Sequence, residues 1–325
     1  MISSSALLCA HHLKRRASSE IWRSLLWRWS QLSRLAALSA AAITVFGGLQ
    51  SKAAQQPGAA CIWALGDSLT GGYQAELAKI LPDRRVIGGG LAAQNSTQIA
   101  ARTGAVLTRV SVADDSIPAS GNVRVTAIAP PLISSAAKTG EIEGSLAGRA
   151  GKLTWDAGDS YFFTPTPDEN STPAPPHSVF TPNTSEARDC VLILWAGHNS
   201  IPAVARILAD ADAILAPYLR RHGHFLVIGL LNGEQEMIGA AGFRLKMQVS
   251  ETLAQRYGPN YIDIRRYLIE RGLQDLNLVA DSADQENIAN GVVPHRLRQD
   301  VIHLNDDGNR LVARYLAAAI KDRQW

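Results

Sequence analysis

The sequence predicts an α/β fold in which helices cover both faces of a parallel sheet, with a β-rich segment set into the chain. Three observations lead there. Short, continuous apolar runs at residues 61–65 (CIWAL), 190–196 (CVLILWA) and 225–231 (FLVIGLL) are the pattern of strands buried on both faces. A segment with helical spacing follows each run, and strands that alternate with helices build parallel sheets. Between residues 104 and 187 this rhythm gives way to strand-like alternation punctuated by Gly and Ser and ending in crowded prolines.

Taken in order, residues 61–65 form a strand that ends in Gly-Asp-Ser. Residues 73–81 (YQAELAKIL) form a helix that stops at Pro82. A second short strand covers residues 84–87, Gly88-Gly89-Gly90 follows as loop, and a helix starts at Asn95 and runs to Thr103. Strands are expected at residues 122–128 (NVRVTAI) and near 153–163, and Pro165, Pro167, Pro173, Pro175, Pro176 and Pro182 mark an extended loop. The α/β texture returns with the strand at 190–196. A helix at 201–221, a strand at 225–231, a helix at 242–257 and a short strand at 261–264 come next. The last helix, 306–320, turns Leu311, Tyr315, Leu316 and Ile320 to one side. The 325 residues, 46% apolar and 19% charged, exclude a disordered or low-complexity chain, and three Cys exclude a disulfide scaffold.

The formal charge of +3 is unevenly spread. Residues 1–53 carry Lys14, Arg15, Arg16, Arg23, Arg28, Arg34 and Lys52 against the single acid Glu20. An uncharged apolar run at residues 35–49 and the small residues Ser51 and Ala53 then complete the pattern of a secretory signal cut after Ala53. An uncleaved membrane anchor is the alternative, although the run is shorter than the about 20 residues a span needs. Without residues 1–53, Lys+Arg is 25 and Asp+Glu is 28, so the remaining 272 residues are mildly acidic. No basic stripe with interleaved aromatics remains, which removes the footing for nucleic-acid binding. The expectation is a secreted or periplasmic protein with no stable membrane insertion after cleavage.

Four short motifs punctuate the α/β part. Gly66-Asp67-Ser68-Leu69-Thr70 follows the first strand, and the 88–96 loop (GGGLAAQNS) follows the second. Gly197-His198-Asn199 follows the strand at 190–196, and Asp300-Val301-Ile302-His303-Leu304-Asn305 precedes the last helix. A further Gly-Asp-Ser, at Gly158-Asp159-Ser160, has no apolar strand before it and is taken as a turn. With these four motifs in this order, the chain resembles the SGNH (GDSL) hydrolase family over residues 61–103 and 190–320. The resemblance implies a flavodoxin-like three-layer α/β/α sandwich with a five-stranded parallel sheet of order 2-1-3-4-5. Residues 54–325 would be one hydrolase domain, interrupted by the 104–187 insertion. In such a sheet, ligands bind beyond the carboxyl ends of the strands where the order reverses, which puts Ser68 and Asn199 over one crevice. The GxSxG elbow of α/β-hydrolases is absent.

Ser68 is the candidate nucleophile, and a Ser hydroxyl needs an adjacent base. His303 is the candidate base, and Asp300, three residues earlier, can accept its other ring N–H and fix the tautomer. The resemblance implies an oxyanion hole built from the Ser68 N–H, the Asn199 side-chain amide and a backbone N–H at Ala93. Gly66, Asp67 and Gly197 are supporting residues. Two positions depart from the family pattern. Ala93 stands where Gly is usual, and its Cβ makes a left-handed conformation harder. Ser200 stands where many members have Asp.

Blander roles compete for the same residues. Asn199 could cap the following helix, and Asp300 could be a helix cap. His198, His177 and His295 read as solvent or substrate-groove residues, His222 and His224 as a helix-to-strand turn. Trp155, Tyr161, Phe162 and Phe163 read as the core of a small β lobe, or alternatively as a groove for sugar rings or acyl chains. Cys61 and Cys190 start strands that the implied fold sets side by side, so a disulfide and two buried thiols both stay open. The expected function is a serine esterase without metal or cofactor, acting on O-acetyl or short-chain esters of a carbohydrate. Lipid or lysophospholipid esters, acyl transfer to a glycan and a non-catalytic glycan-binding module are the alternatives.

Overall fold

Five parallel strands form the central sheet of the computed structural model, which describes residues 61–134, 136, 139–156 and 160–325. The expected export signal at residues 1–53, its anchor alternative, and Gly158 and Asp159 of the second triplet lie outside the described residues. The chain enters through β1 (Cys61–Gly66), α1 (Ser68–Ile80), β2 (Arg85–Gly90) and α2 (Ser96–Arg102). It then leaves the sheet for β3 (Thr108–Val112), β4 (Ser116–Ile117), β5 (Val123–Ala129), β6 (Gly140–Leu146), β7 (Arg149–Trp155), β8 (Tyr161–Pro165), β9 (Thr172–Pro173) and β10 (Ser178–Pro182). It returns through β11 (Val191–Trp195), α3 (Val204–Arg220), β12 (Phe225–Ile228), α4 (Ala241–Tyr257) and β13 (Tyr261–Ile262). It ends with α5 (Ile264–Glu270), α6 (Ser282–Ala289) and α7 (Asp306–Asp322). The sheet order is β13-β12-β11-β1-β2. Counting only these five strands along the chain, that is 2-1-3-4-5, and the reversal lies between β1 and β11.

The side chains explain the layers. Successive strand residues face opposite sides. Ile62 and Ala64, Val191, Ile193 and Trp195, and Leu226 and Ile228 pack with Tyr73 and Leu77 of α1, Leu268 of α5 and Leu311 and Leu316 of α7. The alternate residues Leu65, Leu192, Leu194, Phe225 and Val227 pack with Ile99 of α2, Ile207 and Ile214 of α3 and Val249 and Leu253 of α4. Cys61 and Cys190 stand opposite one another at the start of β1 and just before β11, and their sulfurs are bonded across 4.7 Å between Cα atoms.

Strands β10-β3-β5-β8-β7-β6 close into a six-stranded barrel with a core of its own, including Val110, Val125, Leu132, Leu146, Leu153, Phe163 and Phe180. The region near residues 153–163 is two strands, and the proline-rich stretch, expected as a loop, contains β10, which pairs with both β3 and β6 to close the barrel. Phe163 and Trp155 are buried, as core packing requires.

Two glycine-rich stretches also differ from expectation. α1 begins at Ser68 rather than Tyr73, because Asp67 caps it and Leu69 and Thr70 are buried against the sheet. Gly88–Gly90 are strand, not loop. A Cβ at Gly90 would stand 2.3 Å from the Gly71 nitrogen, so the missing side chain is what lets α1 lie on β2. Tyr315 sits at the rim of α7, 36% exposed, with its ring centroid 4.5 Å from that of Tyr267.

Candidate active site

Ser68 is the first residue of α1, directly beyond the carboxyl end of β1. The Asp67 Oδ1 accepts the Leu69 N–H at 3.1 Å, which fixes the turn that presents Ser68. This end of a helix favours negative charge, because its first N–H groups lack intrahelical acceptors. Gly197 supports the loop after β11 with φ +125°, a conformation open to glycine alone, and a Cβ there would meet Ile207.

Asp300 and His303 come from the loop before α7. An Arg298–Leu304 bridge and a Gln299 N–H donated to the His303 carbonyl at 2.9 Å close that loop. Arg298, nearly buried, donates to the carbonyls of Asp300 and Val293 at 2.9 Å and to Asn287 at 3.0 Å. The Glu234 N–H donates to the Val301 carbonyl at 2.9 Å and ties the loop to the segment after β12. His303 Nδ1 stands 2.7 Å from Asp300 Oδ2, and His303 Nε2 stands 2.9 Å from Ser68 Oγ. Partial burial pushes the Asp300 carboxyl up, but the Ile302 and His303 N–H groups and the imidazole outweigh it and hold the group down at about 2. An ionised carboxylate only accepts, so Nδ1 carries the ring proton and Nε2 is free to accept the Ser68 hydroxyl proton. Asp300 is therefore not a helix cap; Asn305 caps α7 through the Gly308 N–H.

Asn199 does not cap a helix either, since α3 starts at Val204. Its Nδ2 donates to the Gln94 carbonyl at 3.0 Å, and one amide hydrogen remains for a ligand. Ser200 Oγ accepts the Ser96 N–H at 2.8 Å, joining the loop after β11 to the loop after β2. Ala93 lies in that second loop with φ +55°, the left-handed conformation that its Cβ disfavours.

Three functional neighbours were not legible as such. Gln94, fully buried, accepts from Arg102 Nε and donates to the Leu132 carbonyl. Asp210, also buried, accepts from the hydroxyls of Ser96 and Thr97 at 2.7 and 2.8 Å. His198, expected in solvent or a substrate groove, has a side chain only 5% exposed. Its Nε2 accepts the Leu231 N–H at 2.9 Å and its Nδ1 faces Asp67 Oδ2 at 3.4 Å, because the ring is drawn between three loops at the carboxyl edge of the sheet. A polar residue within a catalytic-type motif was the signal for Gln94 and His198, whereas Asp210, in the middle of α3, carried none. Asp281, Asp284 and His295 also approach one another, but Asp284 is already occupied by the Arg296 guanidinium at 2.6 Å.

No family model matches the chain. It is 24% identical over 165 residues to the tail spike protein of Salmonella phage epsilon15, a match to 46% of this chain that spans 15% of the length of that relative. Among solved structures, it is similar to a candidate acylhydrolase of Bacteroides fragilis NCTC 9343, with 11% identity, TM-score 0.45 and coverage of 82% of this chain and 88% of the other. The acetyl xylan esterase AlAXEase follows with 14% identity, TM-score 0.41 and coverage of 80% and 98%. AlinE4, an SGNH-hydrolase family esterase, has 16% identity, TM-score 0.35 and coverage of 81% and 95%. The structural neighbours thus include acylhydrolases and esterases, among them one SGNH-hydrolase family esterase and one lipolytic protein of the G-D-S-L family.

Proposed function

We propose that this chain is a serine ester hydrolase of the SGNH (GDSL) type, working through an acyl-enzyme. The observation that carries this reading is the unbroken line Ser68 Oγ, His303 Nε2, His303 Nδ1, Asp300 Oδ2, with separations of 2.9 and 2.7 Å across the ring. Ser68 Oγ attacks the ester carbonyl carbon while His303 Nε2 takes the hydroxyl proton. Asp300 holds the imidazolium that forms. The negative charge on the former carbonyl oxygen rests on the Ser68 N–H, the Asn199 amide and the Ala93 N–H. His303 returns the proton to the alkoxide leaving group, the C–O bond breaks and the alcohol departs. Water, deprotonated by the same imidazole, then attacks the Ser68 ester. The carboxylic acid leaves and the hydroxyl is restored.

The site opens to solvent, with the side chains of Asp300 and His303 47% and 35% exposed. Such exposure suits a small acyl group carried by a large alcohol better than a long chain that must be enclosed. The preferred substrate is therefore an O-acetylated saccharide, met outside the cytoplasm after export directed by residues 1–53. A panel of acetylated saccharides, p-nitrophenyl esters of increasing chain length and lysophospholipids tests this. Acetate release from the saccharide should exceed turnover of the long-chain esters, whereas preference for long-chain or lysophospholipid esters contradicts the saccharide reading. Acyl transfer shows as acetylated acceptor when excess glycan is present.

Asp300→Asn is expected to lower kcat by about 10²-fold, less than at a fully buried triad acid because water can partly replace this half-exposed carboxylate. A change under about threefold contradicts its role in holding the imidazolium. The pH profile follows from the depressed Asp300 group. Asp300 stays ionised down to about pH 2, so protonation of this carboxylate should not set the acid limb of kcat/KM above that range. A limb centred near pH 4, where an ordinary carboxylate titrates, would contradict this assignment.

A further inference from the structure

The left-handed backbone at Ala93 needs an agent that enforces it, since an L-residue does not favour φ +55°. The agent is visible in the segment that follows β5. Leu132 is buried within the barrel's own core, and Ile133 beside it is 5% exposed. The carbonyls of these residues accept the side-chain amides of Gln94 and Gln98, each at 2.6 Å, and the Ser134 hydroxyl donates to the Ala92 carbonyl. These three bonds bracket Ala93 on both sides. Gln94 does more, because its main-chain carbonyl receives the Asn199 amide and its Oε1 receives Arg102. Arg102 in turn donates to the carbonyls of Gly66 and Gly89, at the ends of β1 and β2. The chain of contacts runs from the barrel core to the two groups assigned as oxyanion donors.

We propose that the barrel is a positioning device for the ester-cleaving site: residues 132–134 clamp the loop after β2, hold Ala93 left-handed, and through Gln94 set the Ala93 N–H and the Asn199 amide together. This rests on the proposed esterase reading, since it assigns Ala93 and Asn199 their role from it. Gln94, Gln98 and Ser134 are positioning residues that touch no substrate. Buried amide donors are costly to leave without acceptors, so the clamp does not slip while the barrel is folded. Closely packed elements transmit small shifts, so loosening the clamp displaces the donors rather than merely softening the loop.

The test is a set of double-mutant cycles on the full chain, with kcat and KM measured for p-nitrophenyl acetate. Ser134→Ala and Gln98→Ala should each lower kcat about five- to tenfold with KM within about twofold, a part of the about 10²-fold that one oxyanion donor carries. In an Ala93→Gly background the same substitutions should cost less than about twofold relative to that background, because glycine takes the left-handed conformation without the clamp. Gln94→Ala should show the largest loss. Thermal unfolding identifies any variant that fails to fold, and the Ser134 hydroxyl, at the protein surface, can be removed without opening a cavity. Equal losses in the two backgrounds, or no loss in either, would overturn the proposal. If Ser68→Ala is inactive while the clamp variants keep full kcat, only this inference falls. If Ser68→Ala retains activity, the esterase reading itself falls.

Discussion

Ser68→Ala should reduce turnover of p-nitrophenyl acetate by about 10⁴-fold or more, leaving only what the oxyanion donors and binding supply. The size follows from the geometry. Ser68 Oγ is the one atom bonded to His303 Nε2 in the line that ends at Asp300, so removing it deprives the base of its proton source and the acyl group of its acceptor. A loss of that size corresponds to about 5.4 kcal/mol in the barrier, far more than any shift in substrate binding from one lost hydroxyl. The fold should be untouched. The capping bond to α1 comes from Asp67, not from Ser68, so the variant should unfold at the wild-type temperature. A variant that unfolds normally and still hydrolyses the ester at more than about a tenth of the wild-type rate would exclude Ser68 as nucleophile.

The second large effect is on stability. The Cys61–Cys190 bond closes a loop with a sequence separation of 129 residues, for which the chain-entropy account gives about 5 kcal/mol. The barrel lies inside this loop and has a core of its own, so residual barrel structure in the unfolded chain would shorten the effective loop and lower the figure. Replacing both cysteines by Ala should therefore cost about 3–5 kcal/mol in urea unfolding. A cost under about 1 kcal/mol would show that pairing of β1 with β11 already fixes this edge without the bond. The bond itself is checked by thiol titration of denatured, unreduced protein lacking residues 1–53. No free thiol is expected, and two would contradict it.

The contrast between what the sequence carried and what it did not has physical causes. β1, β11 and β12 are uninterrupted apolar runs because both their faces are covered, and that pattern is local. The approach of Ser68, Asp300 and His303 was legible because each follows a strand or precedes a helix in a recognisable order. The first turn of α1 was not, because Gly71 and Gly72 look like helix breakers until the close approach of Gly71 to Gly90 is known. α6 was hidden by its polar sequence; an Asp281–Asp284 capping box and the Arg296–Asp284 contact hold it instead of an apolar stripe. Closure of the barrel depends on β10 pairing with two distant strands, which no periodicity encodes. The same holds for Gln94. Its importance comes from the carbonyl at Leu132, 38 positions along the chain. The cost of a Cβ in a left-handed backbone was foreseeable at Ala93, and the structure adds the bonds that offset it.

The most direct measurement is covalent trapping with a fluorophosphonate, followed by mass spectrometry of the modified peptide. The expected result is a single adduct on Ser68, formed more slowly in His303→Ala and absent in Ser68→Ala. An adduct on another residue, or equal labelling of Ser68→Ala, would contradict the assignment of Ser68, His303 and Asp300 as the ester-cleaving site.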